Sequence, residues 1–265
     1  MKILFATIAL GLLIAGAALI VWLSPSGYAA QDREETLVSS SSDHWTGTDA
    51  LGRDRTVRVA AALLVGLAGA TAAAAITTAI AAGFGLLAGF SHPAIAAVLV
   101  FISDAFLALP WLFLLMMARA SLPLTASPAQ TAILTFLCLS VLGWPACARA
   151  IYRGSLSLRT SEWFMQGRAS GLRTPQLIGH LLPHLRPLLL AQFLVSIPVF
   201  VVAEANLGAL GLGIGEPLPS WGGMLLELDN SALLARTHWA YLPIVLLVVV
   251  LFLIETLASR KDAHA

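Results

Sequence analysis

The sequence predicts an all-α membrane protein of about six transmembrane helices in one polytopic domain. Apolar residues make up 58% of the 265-residue chain and charged residues only 11%, and the mean hydropathy is +0.87. A soluble globular protein carries about 25% charged residues. Several apolar runs also reach the roughly 20 residues that cross about 30 Å of hydrocarbon. The net charge of +1 indicates no particular partner.

The spans follow from the apolar runs between the polar segments. We predict six of them, at residues 3–23, 59–90, 93–118, 129–148, 188–212 and 241–257. The first run could instead be a signal peptide cleaved before Gln31, since Lys2 and small residues flank it. Its apolar run of about 20 residues exceeds the roughly 7 to 15 of a signal core, which favours an uncleaved anchor.

The orientation is predicted from the arginines and lysines, which are retained on the cytoplasmic side of a membrane. The connection 149–187 contains six arginines and the single acid Glu162, and the C-terminus adds Arg260 and Lys261. The loop 24–58 contains four arginines and six acids. We therefore expect both termini in the cytoplasm. The resulting division is an N-terminal helix at 1–23, an extracytoplasmic loop at 24–58, a membrane core at 59–258 and a cytoplasmic tail at 259–265.

The connection 149–187 is long for a chain whose other loops, apart from the first, are short. It could be an amphipathic helix on the membrane surface, with arginines facing lipid phosphates. Its glycines and prolines instead favour two short helices with a bend between them. These residues are Gly167, Gly171, Pro175, Pro183 and Pro187.

Four stretches of the sequence resemble one family. "QGRASGLRTPQLIGHLLP" (166–183) resembles the cytoplasmic EAA loop of permease subunits of binding-protein-dependent ABC importers, most closely the dipeptide, oligopeptide and nickel group. "HWTGTDALGRDRTVR" (44–58) and "VVAEANLGALGLGIGEPLPSWGGML" (201–225) resemble two further signatures of that group, and "SDAFLALP" (103–110) is a weaker match. Met165, Gln166 and Gly167 stand where the family usually has Glu-Ala-Ala, so the solute is not carried over from its commonest members.

The resemblance implies the transmembrane-domain fold of an ABC importer and a multi-pass position in a bacterial inner membrane. It implies half of a translocation pathway for peptides or a related small solute, with nickel or a metal chelate also open. The implied partners are a second homologous permease subunit, two ATPase subunits and an extracytoplasmic solute-binding protein. No nucleic-acid partner is expected. ATP and Mg would be bound by the partner subunits, and this chain would bind no cofactor of its own.

The resemblance also assigns residues of the connection to coupling with the ATPase subunits. They are Gln166, Gly167, Arg168, Ala169, Gly171, Arg173 and Pro183. Gly171 is the first choice, because glycine permits a backbone conformation at a bend that other residues resist. For Arg168, a cation that sets topology near lipid headgroups remains an alternative.

Two acids lie inside predicted spans, where a charge usually faces protein or water. Glu204 and Asp104 could contact the solute or hold helices in register, and Arg119 and Arg149 are candidate partner charges. On the extracytoplasmic side, Asp49, Arg53, Asp54 and Trp221 could contact a partner protein. Trp221 could equally be an anchor at the membrane interface.

Enzymatic and metal-binding functions are not predicted, and no catalytic residue is assigned. The sequence lacks the phosphate-binding pattern GxxxxGK[ST], so the chain is not expected to hydrolyse ATP. His180 and His184 are four apart, but Pro183 interrupts them and no acidic or cysteine ligands are near. An ion-coupled secondary transporter is the main alternative, although no convincing internal repeat supports it.

Overall fold

The structure, a computed structural model, describes residues 2–258 apart from Leu122, Leu124 and Thr237. Over these residues the chain forms α-helices joined by loops, with a single isolated β-bridge between Thr48 and Asp54. The helices are α1 (Lys2–Leu23), α2 (Arg55–Phe90), α3 (Pro93–Ala108), α4 (Trp111–Ala120), α5 (Pro128–Leu142), α6 (Pro145–Arg159), α7 (Glu162–Ala169), α8 (Thr174–Ala209), α9 (Trp221–Leu226), α10 (Ser231–Arg236) and α11 (Leu242–Ala258). The predicted tail, 259–265 with Arg260 and Lys261, lies outside the described residues.

Five helical segments are long and apolar enough to cross a membrane. They are Lys2–Leu23, Arg55–Phe90, Pro128–Arg159, Leu182–Ala209 and Trp239–Ala258. A sixth span would arise if α3 and α4, which meet at a bend of 80°, are counted together. The predicted all-α membrane fold with about six spans is therefore confirmed.

The third predicted span is broken rather than continuous. α3 ends at Ala108, Leu109 is extended with ψ 138°, and Pro110 lies at the start of α4. Proline has no backbone N–H, and its ring disfavours helical geometry in the preceding residue. The span predicted at 93–118 therefore consists of two helices that meet at Leu109–Pro110.

The connection predicted at 149–187 is partly helical, because both flanking helices extend into it. α6 continues to Arg159, and α8 begins at Thr174 and runs without interruption to Ala209. Pro183 and Pro187 lie inside α8, where a proline removes one hydrogen bond and bends a long helix without having to end it. We call residues 160–173 the α6–α8 loop; α7 is the single short helix within it.

α2 is the central helix and packs against α1, α5, α6 and α8. Its buried face is rich in alanine and glycine, and small residues let membrane helices approach closely. At Gly85 and Gly89, an added Cβ would lie 2.7 Å from Ile151 and 2.5 Å from Ser155 of α6. α1 packs along α2 and α11, as an anchor within the bundle would.

Candidate functional site: the α6–α8 loop and the charged residues

The α6–α8 loop is attached to the end of α2. The Phe164 side chain is buried, and its ring centroid lies 5.7 Å from that of Phe90. Arg159 donates to the Gly89 carbonyl at 2.6 Å, and its guanidinium lies 5.8 Å from the Phe90 ring centroid. α7 therefore rests on the C-terminal end of α2 through an aromatic contact, and the last residue of α6 contacts the same end through its guanidinium.

The predicted bend at Gly171 is present and has a defined geometry. Gly171 has a φ of +81°, in the left-handed region where glycine is favoured. Its N–H donates to the Arg168 carbonyl at 3.0 Å, and the Leu172 N–H donates to the Gly167 carbonyl at 3.1 Å. This pair of hydrogen bonds is the Schellman motif, which ends a helix and satisfies its last carbonyls.

Most of the residues assigned to coupling lie on one exposed surface. Gln166, Arg168, Ala169, Gly171 and Arg173 are all exposed around the bend. The structure thus leaves this basic surface uncovered by the rest of the described chain.

Two of the assigned residues, Gly167 and Pro183, are not part of that surface. Gly167 is half-buried, and a Cβ there would lie 2.8 Å from the Leu177 side chain, so the glycine lets α7 pack close to α8. Pro183 lies within α8, more than two turns beyond its first residue. A contact through Pro183 would therefore involve α8 rather than the loop.

At the opposite end of α2, six charged side chains form what we call the α2 N-terminal cluster: Asp49, Arg53, Arg55, Arg58, Glu216 and Glu227. Arg53 donates to Asp49 and to Glu216, each at 2.6 Å. Arg58 lies 2.9 Å from Glu216 and 3.5 Å from Asp49. Arg55 donates to Glu227 at 3.0 Å. The cluster ties the start of α2 to the segments that follow α8 and α9.

The electrostatics of the cluster favour the charged state of Arg53. Burial lowers the pKa of Arg53, but its hydrogen bonds to Glu216 and Asp49, together with their negative charges, raise it by more. The pKa of Arg53 therefore lies above its ordinary value.

A histidine joins the loop before α2 to its first turn. Asp54 accepts from the Thr56 and Val57 N–H groups as the N-cap of α2. His44 lies 2.9 Å from Asp54 and 2.8 Å from Glu35 through its two ring nitrogens. Burial lowers the pKa of His44, but these hydrogen bonds and the negative charges of Asp54 and Glu35 together raise it by more, so the pKa lies above its usual value.

The expected partner contacts on this side need correction. Asp49, Arg53 and Trp221 are buried within the chain, and Asp54 caps α2, so the first three do not present a surface to another protein. The Trp221 ring packs on Gly66 of α2, where an added Cβ would lie 2.6 Å from it. Trp221 is therefore a core residue in this structure, not an anchor at the membrane interface.

Glu204 lies where α8 packs on α9. Its side chain is fully buried, and Oε1 accepts from the Gly222 N–H at 3.4 Å. The two helices approach so closely that a Cβ on Gly208 would lie 2.2 Å from the Gly222 Cα. Between the two roles considered for Glu204, this geometry favours helix packing.

Asp104 pairs with one of its two candidate partners. The Arg149 guanidinium on α6 lies 2.9 Å from the Asp104 carboxylate on α3. Arg119 instead donates to the carbonyls of Leu212 and Gly213. Of the two candidate partners, the structure therefore places Arg149 beside Asp104.

The described residues contain no group of three or more His, Cys, Asp or Glu side chains able to hold a metal ion. The His184 ring stacks on Trp163, with ring centroids 5.3 Å apart, and its Nδ1 lies 3.1 Å from the His180 carbonyl. His184 therefore has aromatic and local polar contacts of its own.

The arrangement defines a multi-pass, all-α membrane protein with an exposed basic bend at one end of its central helix and buried charges at the other. The family model described as "Binding-protein-dependent transport system inner membrane component" matches residues 81–260, and the chain belongs to this family. The resemblance found in the sequence is thereby confirmed.

Relatives of the chain include three named transport permeases. It is 29% identical over 219 residues to the dipeptide transport system permease protein DppC of Bacillus subtilis, covering 82% of this chain and 66% of the relative. The oligopeptide transport system permease protein OppC of the same species is 29% identical over 185 residues, covering 69% of this chain and 59% of the relative. OppC of Escherichia coli K12 is 29% identical over 243 residues, covering 89% of this chain and 78% of the relative. The chain thus spans less than two-thirds of the length of the first two relatives.

Proposed function

We propose that the chain is the permease subunit of an ATP-driven importer and forms half of a translocation pathway in a bacterial inner membrane. The observation that carries this proposal is the exposed basic bend around Gly171, held on the end of α2, in a chain of the binding-protein-dependent transport family. The names of the relatives favour peptides as the solute. A related small solute, including nickel or a metal chelate, belongs to the same proposal.

In this function the chain works within a larger complex. Its partners are a second homologous permease subunit, two ATPase subunits that bind ATP and Mg, and an extracytoplasmic solute-binding protein. The chain itself is not an enzyme and binds no cofactor. Family membership does not favour the ion-coupled secondary transporter, which needs no ATPase partner.

The α6–α8 loop would receive the movement of the ATPase subunits on the cytoplasmic side, with both termini on that side. Arg168 and Arg173 are exposed next to the bend, and arginine suits carboxylates and carbonyls on a partner surface. The contact of Phe164 with Phe90 then passes a displacement of α7 to α2. The contact of Arg159 with Gly89 does the same for the end of α6. α8 begins directly after the bend, so it moves with the same displacement.

The test is a crosslink between the bend and the ATPase subunits. Ala169→Cys is made in a chain from which Cys138 and Cys147 have been removed, and is paired with single-cysteine ATPase subunits in membranes. Ala50→Cys is the matched control, since Ala50 is also exposed but precedes the opposite end of α2.

We expect A169C to crosslink in a nucleotide-dependent manner and A50C to give no product. Absence of a crosslink at Ala169 and its exposed neighbours, in a complex shown to be assembled, would contradict the coupling role. A crosslink from A50C would place the ATPase subunits at the wrong end of the chain.

A further inference from the structure

Two cavities lie side by side where α1 packs along the bundle. The first, which we call the polar chamber, has a volume of about 360 Å³, within the range of ligand pockets. The second, which we call the apolar chamber, has a volume of about 210 Å³. Ile20 and Thr56 line both chambers, so the two adjoin. Together they form what we call the α1 groove.

The polar chamber is acidic. Among the described residues that line it are Asp43, His44, Trp45 and Asp54, and none is an arginine or a lysine. His44 is already paired with Asp54 and with Glu35, so one histidine faces two carboxylates. Asp43 and Trp45 are exposed at the chamber. The charge and the aromatic ring therefore suit a cationic group.

The apolar chamber lies between three helices. Leu12 and Gly16 of α1, Leu63 of α2 and Leu246 of α11 line it. A Cβ added to Gly16 would have no atom within 4 Å, so this glycine leaves open space. An unfilled space forfeits the dispersion contacts of its lining, and within a membrane a hydrocarbon chain can fill it.

The groove runs from the level of the lipid headgroups into one leaflet. Trp22 at the end of α1 and Tyr241 just before α11 are both exposed, and such aromatic residues mark the membrane interface. Leu23 lines the polar chamber and Leu12 the apolar one. They are eleven residues apart on α1, which is about 17 Å at 1.5 Å per residue. Half of a hydrocarbon layer about 30 Å thick is about 15 Å, so the groove has the depth of one leaflet.

We propose that the α1 groove binds a phospholipid with a primary ammonium headgroup, whose ammonium lies in the polar chamber and one acyl chain in the apolar chamber. Asp43 accepts a hydrogen bond from the ammonium, and the Trp45 ring adds a cation–π contact. Ser24 and Ser26 line the same chamber and carry hydroxyls that can donate to the phosphate. An anionic headgroup would be repelled by the carboxylates, and a choline headgroup has no N–H to donate. The lipid joins the end of α1 to the loop before α2, a role separate from the proposed transport function.

The test compares the lipids retained by the full-length chain in detergent micelles. The purified chain is incubated with equal amounts of phosphatidylethanolamine, phosphatidylcholine and phosphatidylglycerol that carry the same acyl chains. Native mass spectrometry then counts the lipids bound. We expect one phosphatidylethanolamine per chain, in roughly tenfold excess over each of the other two lipids.

Gly16→Leu tests the position of the acyl chain. The open space at Gly16 accommodates a leucine side chain, which would then fill the apolar chamber. Gly11→Leu is the matched control, since Gly11 is equally open on α1 but is not a lining residue of either chamber. We expect G16L to lose the bound phosphatidylethanolamine and G11L to keep it. Equal unfolding temperatures of the two variants in lipid-free micelles would separate loss of the lipid from loss of folding.

Asp43→Asn tests recognition of the headgroup. Loss of the charge should weaken the binding of phosphatidylethanolamine roughly tenfold, because a hydrogen bond between charged groups is replaced by a weaker one. Glu34→Gln is the control, since Glu34 is an exposed acid of the same loop that does not line the groove. We expect E34Q to bind the lipid as the unchanged chain does.

Several outcomes would overturn this site. Equal retention of the three lipids would show only the ordinary lipid shell of a membrane protein, and retention of none would show that the groove is closed. Loss of the lipid in both G16L and G11L would place it elsewhere on α1, and unchanged binding in G16L or D43N would remove the acyl or the headgroup contact. The A169C crosslink tests the importer function independently of all these results.

Discussion

Two carboxylates of the α2 N-terminal cluster provide a test of how burial sets the strength of an ion pair. Asp49 and Glu216 each lie 2.6 Å from Arg53, and they lie 3.5 Å and 2.9 Å from Arg58. Their side chains differ in exposure, at 4% for Asp49 and 56% for Glu216. Asp49→Asn and Glu216→Gln therefore remove one charge each, at similar distances but in different solvent surroundings.

The expected loss of stability is much larger for Asp49. Two unit charges about 4 Å apart attract by about 1 kcal/mol in water and about 4 kcal/mol at an effective dielectric constant of 20. Removing one partner of a buried pair costs about 3 to 5 kcal/mol, because the other charge stays buried. Asparagine keeps an oxygen for the Leu51 and Arg53 N–H groups, so we expect about 3 kcal/mol for D49N. The Glu216 carboxylate is 56% exposed, so water screens its charge although both arginine partners are buried. We therefore expect about 1 kcal/mol for E216Q, the upper end of the range for exposed pairs.

The assay is equilibrium unfolding of the purified protein in detergent micelles, with the free energy of unfolding measured at low salt and at about 1 M salt. The Debye length falls to about 3 Å at 1 M, so the small effect of E216Q should shrink further. The effect of D49N should change little, since solvent ions do not reach the buried pair. Equal losses for the two variants, or a larger loss for E216Q, would refute the argument from burial.

Three further predictions concern individual positions. His44 stabilises the fold when it is protonated, because its pKa is higher in the folded state than in the unfolded state. This stabilisation is fully present below the unfolded-state pKa of about 6.5 and is lost as the pH rises through the folded-state pKa. Thermal unfolding between about pH 5.5 and 8.5 should show this loss, and H44Q should flatten it. Gly171→Ala should strain the left-handed bend by about 1 kcal/mol and lower solute-stimulated ATPase activity, whereas Gly179→Ala, at an open helical position, should not. Gly208→Ala should lower the free energy of unfolding by about 3 kcal/mol, because the added methyl group would meet the α9 backbone. Gly83→Ala, which has open space around it, should leave the free energy of unfolding unchanged. Chemical unfolding in micelles measures both.

The sequence predicts local and periodic features of this fold well. Apolar runs define the spans because the hydrocarbon thickness sets their length, and the bend at Gly171 follows from the backbone freedom of glycine. The sequence also named Arg149 as one of two candidate partners for Asp104, because a charge inside an apolar segment needs a partner, and the structure shows this contact. These features depend on the chemistry of a few neighbouring residues, which a sequence displays directly.

Features that depend on distant parts of the chain were missed. Arg53 and Glu216 are far apart in sequence, and no local pattern shows that they meet at 2.6 Å. For the same reason Trp221 resembles an interfacial residue in sequence, although its ring is buried against Gly66 of α2. The signal that could have indicated the cluster is the run of three arginines at the start of the second span. Charges at that position need partners, and the cluster takes them from the loop before α2 and from the segments that follow α8 and α9.

α2 physically connects the two regions that the sequence analysis considered separately. Its 36 residues extend about 54 Å, from Arg55 in the N-terminal cluster to Phe90 beneath α7. Along this length, glycines such as Gly66 and Gly85 leave no room between α2 and its neighbours, because an added Cβ would lie less than 3 Å from the facing side chains. A helix packed this closely has little freedom to bend by itself, since protein interiors are close-packed and transmit strain. A displacement of the α6–α8 loop must therefore either move α2 together with the ion pairs at its far end or break the contacts that join them.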